Sequence, residues 1–148
     1  MEVDDDNYFA SNETLRYNVR FIIRHPAIDP DVITRTLQIE PTRAAMVGSF
    51  MKTPKGETLQ GRHRDSVWSC TLRLARNRFF FREVVDLIEK LEPHKAFLVD
   101  LIESGGEASV NIDLPGDTNI GDILPWREVA RLGALRIELG IEVFPEFN

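Results

Sequence analysis

Residues 17 to 24 read YNVRFIIR. Tyr17, Val19, Phe21 and Ile23 fall on one side of an extended chain, with Asn18, Arg20 and Arg24 on the other. That period of two marks a strand that buries one face. Three further segments repeat it. In VWSCTLRL (67 to 74), Trp68, Cys70, Leu72 and Leu74 oppose Val67, Ser69, Thr71 and Arg73. In EASVNIDL (107 to 114), Ala108, Val110, Ile112 and Leu114 oppose Glu107, Ser109, Asn111 and Asp113. In ALRIELGIEVF (134 to 144), Leu135, Ile137, Leu139, Ile141 and Val143 oppose Arg136, Glu138 and Glu142. Strands buried on both faces would read as continuous apolar runs, so these four predict a largely antiparallel sheet with one polar face.

Helical periodicity lies between the strands. Asp29-Pro30 supplies an N-cap and a proline at the first helical position, followed by Val32, Ile33 and Leu37 as an apolar stripe. Residues 80 to 104 carry Val84, Ile88, Leu91, Leu98 and Ile102 near one face, with Pro93 splitting or kinking the helix and Gly105-Gly106 ending it. A short helix from Pro125 to Gly133 turns Val129 and Leu132 inward. The expected architecture is α+β: a two-layer sandwich, related to ferredoxin-like folds, whose sheet of at least four strands carries all helices on one face.

At 148 residues the chain is the size of one domain, 1–148, and shows neither repeat nor linker. No apolar run approaches the roughly eighteen residues of a membrane span. The start, MEVDDDNYFASNE, is acidic where an export signal is basic and then apolar, and residues 1 to 14 are expected to be loosely ordered. One cysteine, Cys70, fits a reducing cytoplasm.

A net charge of −6 disfavours nucleic acid as a partner, and the sheet offers no exposed aromatics on which bases would stack. The charge is nevertheless segregated. Arg43, Lys52, Lys55, Arg62 and Arg64 face only Glu57 within residues 43 to 64. Residues 40 to 65 read as a long basic connection, and connections of that length are uncommon unless they have a function. Within it, Pro41 ends the first helix near Ile39, Thr42 caps a helical turn through RAAMV, and Gly48 stops that turn. Ala45, Met46 and Val47 are expected to lean on the core.

The motifs Leu37-x-Ile39-x-Pro41-Thr42, Gly48 and Trp68, with the closing LGALRIELGIEVF, resemble the bacterial family catalogued as domain of unknown function 4279. The resemblance implies a small cytoplasmic α+β protein and brings no catalytic residue. Immunity proteins against toxins offer an analogy among small bacterial domains.

No catalytic set converges in the sequence. His25, His63 and His94 lack metal-ligand spacing and read as surface histidines, and Cys70 reads as a small core residue. The acidic DLPGDTNIGD, with Asp113, Asp117 and Asp122, lacks the order of a calcium loop and reads as turn chemistry. No metal or cofactor is expected. The candidate site is Arg43, Lys52, Lys55, Arg62, His63 and Arg64. It serves a non-enzymatic binding domain for a protein partner, of regulatory or immunity type, or alternatively a small anionic ligand or an enzyme's anionic substrate. The acidic residues Asp4, Asp5, Asp6 and Glu146 accompany the first reading. A homodimer through the polar sheet face or an edge strand is a third expectation.

Overall fold

A computed structural model describes residues 17–72, 79–117 and 119–145. The acidic termini, with Asp4, Asp5, Asp6 and Glu146, and the strand positions Arg73 and Leu74 lie outside the described residues.

Strand β1 (Asn18–His25) is the centre of the sheet, and the side chains of Tyr17, Val19, Phe21 and Ile23 are all 0% exposed. It pairs antiparallel with β5 (Ser66–Thr71) on one side and with β6 (Glu107–Pro115) on the other. Beyond β5 lies a short strand, β2 (Arg43–Ala45), also antiparallel. Beyond β6 lies β7 (Glu138–Phe144), the one parallel neighbour, giving the order β2-β5-β1-β6-β7. A separate hairpin is made of β3 (Phe50–Lys52) and β4 (Thr58–Arg62). The fold is therefore α+β, with an antiparallel-dominated sheet of five strands.

The helices are α1 (Pro30–Leu37), α2 (Phe81–Leu91), α3 (Lys95–Glu103) and α4 (Trp126–Ala134), with a 3-10 turn at Glu92–His94 where Pro93 divides α2 from α3. Their apolar stripes join the inner face of the sheet in one cluster. Helix α1 begins as its sequence demands: Asp29 Oδ1 accepts the Asp31 amide at 2.9 Å, and Pro30 holds the first turn. It ends on Gln38, at φ 57. Glycine fits that left-handed position without steric cost, so Gln38→Gly is expected to raise stability by about 0.5–1 kcal/mol in urea unfolding. Helix α2 takes its amide partner from far along the chain, where Asp122 Oδ2 accepts the Phe81 N–H at 3.0 Å. The turn reading of that acidic stretch is thus given a specific job.

Arg131 ties α4 to α2. It bonds Glu92 at 2.8 Å and Glu89 at 3.2 Å, and its own-helix neighbour Glu128 at 3.0 Å. Hydrogen bonds to Glu92 and then Glu89 hold its guanidinium further above its ordinary range.

Several expectations need correction. Residues 40 to 65 hold three strands rather than an unstructured connection, and residues 43 to 45 are extended, not a helical turn. Thr42 caps no helix: its hydroxyl accepts the Thr71 amide at 2.9 Å while its own amide bonds Ser69 O at 2.8 Å, stitching β2 to β5. Met46 is exposed rather than buried, although its sulfur takes a contact from the buried Ser66 hydroxyl. His25 is no surface histidine. It is buried, and its Nδ1 accepts the amides of Ala27 and Ile28, which leaves Nε2 to donate to Ser104 Oγ at 2.8 Å. Finally, Val129 of α4 is 51% exposed, and the inner-face residues of β7 are largely uncovered. Periodicity identifies which face a residue is on, but it does not say whether a neighbour reaches far enough to cover it.

Candidate functional site

The basic stretch folds back on itself as a hairpin. Thr53-Pro54-Lys55-Gly56 is a tight turn, in which the Gly56 amide bonds Thr53 O at 2.9 Å and Gly56 adopts φ 89. Thr53 Oγ1 accepts the Glu57 amide at 3.1 Å, closing the loop from inside. At the other end the Gly48 amide bonds His63 O, and the His63 amide bonds Ser49 O, both at 2.9 Å. Buried Ser66 accepts the Val47 amide at 3.0 Å, fastening the hairpin base to β5.

Between this hairpin and β2 lies an open cleft of about 770 Å³. Arg43, Lys52 and His63 line it, with hydroxyls from Thr42, Ser49, Thr53 and Thr58 and apolar contacts from Met46, Phe50 and Pro54. Neither Arg43 nor Lys52 has an acidic partner within salt-bridge distance among the described residues. No carboxylate or thiol lines the cleft beside His63.

The strand edge adds a second recognition element. Ser69 turns its backbone toward β2, where its carbonyl accepts the Thr42 amide, and Leu72 turns its own toward β1. Arg43 and Ala45, the register partners of Ser69 and Val67, therefore address β5, and Ala44 between them turns its N–H and C=O groups outward to the open edge. Among the described residues no strand pairs with that edge.

Of the six predicted site residues the structure brings three together: Arg43, Lys52 and His63. Arg62 is occupied elsewhere. Its guanidinium lies 4.0 Å from the centre of the Phe50 ring and donates to Gly48 O at 2.8 Å, so it braces the hairpin. Lys55 sits in the hairpin turn, and neither it nor Arg64 lines the cleft. Sequence reasoning missed Ser49, Thr53 and Thr58. The turn signal Pro54-Lys55-Gly56 would have revealed the hairpin that places them.

A smaller cleft of about 410 Å³ runs between β5 and α2, lined by Cys70, Leu72, Glu83, Asp86, Glu89 and Lys90 among others. Burial pushes the Cys70 thiol up, partly opposed by Lys90. That is the direction of an inert thiol rather than a nucleophile. No described helix is long and apolar enough to cross a membrane.

Neither curated proteins nor solved structures yield a match to the chain. One family model does match, described as "Domain of unknown function (DUF4279)", over residues 15–142. The motifs from Leu37 to Trp68 and most of the closing strand lie inside that span, and the chain belongs to the DUF4279 family.

Proposed function

We propose that this chain is a binding domain without chemistry of its own, holding an acidic, extended segment of a partner protein in the cleft between β2 and the β3–β4 hairpin. The observation that carries the reading is the meeting of two cations, Arg43 and Lys52, with the backbone edge of β2, none of them with an acidic or strand partner among the described residues. An extended peptide laid along such an edge exchanges main-chain hydrogen bonds, and its alternate side chains reach the cleft walls. Carboxylates among them meet the planar guanidinium of Arg43 and the ammonium of Lys52.

A bacterial cytoplasmic setting goes with this reading, supported by the family resemblance and by a single cysteine. Regulation of the captured protein, or neutralisation of a toxin, is the class of role that such capture serves. A small organic anion is the second reading, favoured by a volume inside the roughly 300–1,000 Å³ range of ligand pockets.

Titration calorimetry separates the two. The probes are a short peptide alternating Glu with Val, the same peptide with Gln for Glu, and citrate. The Glu peptide is expected to bind, more weakly as salt rises, with affinity falling about tenfold in the Arg43→Ala, Lys52→Ala double variant. Citrate binding alone would favour the small-anion reading. Equal binding by the double variant, or by the Gln peptide, would remove the cleft from the account.

A further inference from the structure

Strand β7 is the far edge of the sheet from the cleft. Val110, Ile112 and Leu114 of β6 pair with Leu139, Ile141 and Val143 of β7. Residues paired in register share a face, so these three belong to the apolar inner face of the sheet. Yet they are 38%, 52% and 59% exposed, so no described helix covers them fully. The backbone of this strand is open as well. The Gly116 amide donates to Phe144 O, so the even-numbered residues of β7 address β6. Leu139, Ile141 and Val143 therefore aim their N–H and C=O groups outward, where among the described residues no strand receives them.

Sheet edges are normally protected by proline, lysine, a bulge or shortness. Over its seven residues β7 has no proline or lysine, and its ladder with β6 runs without a register shift. Its charges are Glu138 and Glu142, on the polar face. Their spacing determines which strand fits beside it.

We infer that β7 pairs antiparallel with β7 of a second copy of this chain, about a two-fold axis through Ile141. In that register Leu139 faces Val143 of the partner and Ile141 faces itself, forming one apolar ridge on the helix side of the sheet. On the polar side Glu142 faces the partner's Gly140, which has no side chain, and Glu138 faces Phe144. A two-fold centred on Gly140 or on Glu142 instead sets glutamate directly against glutamate, which is destabilising. The Ile141 register overlaps the whole strand, and all three outward-facing residues find hydrogen-bonding partners. A strand from another protein would have to reproduce both this apolar alternation and this charge spacing, whereas a second copy does so by symmetry. The sheets of the two protomers then run on as one, and the two clefts lie at opposite outer ends.

Light scattering after size exclusion, at tens of micromolar protein, tests the pairing. The wild type is expected at twice the 16.9 kDa of one chain, and Ile141→Lys, which sets two cations face to face, at half the wild-type mass. Register is read by oxidation in a Cys70→Ala background. Ile141→Cys is expected to form a disulfide dimer, because hydrogen-bonded pairs lie about 5.5 Å apart at Cα, within disulfide reach. Val143→Cys should remain reduced alone and cross-link when mixed with Leu139→Cys. A wild type of single-chain mass, a doubled mass in Ile141→Lys, or self-linking of Val143→Cys equal to that of Ile141→Cys each overturns the inference.

Discussion

Trp68→Ala is expected to lower the unfolding free energy by about 3–5 kcal/mol, the range for removing a fully buried large aromatic. Trp68 is 0% exposed and stands on β5 between Ile23 of β1 and Ala44 of β2. Its ring meets Phe21 edge-on, with centroids 5.7 Å apart, and its Nε1 donates to Thr34 Oγ1 at 3.0 Å. It thus joins the central strand, the strand beside the cleft and helix α1. A domain of this length has roughly 7–20 kcal/mol of stability at typical per-residue values, so the loss is a large share. Trp68→Phe keeps most of the packing and loses the hydrogen bond, and should cost only about 1–2 kcal/mol. Urea midpoints measure both. A Trp68→Ala protein within 1 kcal/mol of the wild type would contradict this picture of the core.

Gly106→Ala is expected to destabilise by about 3 kcal/mol, at the upper end for forcing atoms into a packed site. A Cβ there would lie 2.6 Å from the Leu101 carbonyl oxygen and 3.0 Å from the His25 ring. Backbone cannot swing aside as a side-chain tip can, and the His25 ring is pinned by two amides and Ser104. The strain falls where α3 turns into β6, and the Gly106 amide itself bonds Leu101 O. Gly133→Ala is the control. Nothing lies within 4 Å of its added Cβ, and it sits in α4, where alanine gains up to about 1 kcal/mol over glycine. The two substitutions should therefore have opposite signs in the same thermal melt.

The sequence shows the sheet well where alternation and coverage coincide. β1 and β6 are buried on one face as their alternation predicts. β7 shows the limit: Leu139, Ile141 and Val143 have a core strand's pattern, and edge position leaves them exposed. The basic hairpin was missed for a different reason. FMK and TLQGR are too short and too polar to show a period, so only the turn at Pro54-Lys55-Gly56 marks them. His25 was misread because its partners, Ser104 and the loop amides, are fixed by tertiary structure. For the candidate site, charge segregation singled out residues 43 to 64, and folding brings only some of those charges together. Arg43 and Lys52 reach the cleft, while Arg62 is drawn off by Phe50 and Gly48.

The central claim is that the β2 edge and its two cations hold an acidic strand. Nitrogen–proton NMR spectra recorded as the Glu–Val peptide is added test it most directly. The amide of Ala44 should shift together with those of Ser49, Lys52 and His63, and should then exchange more slowly with solvent. Shifts confined to β7 or to the polar sheet face, or an Ala44 amide unchanged at saturation, would contradict the account.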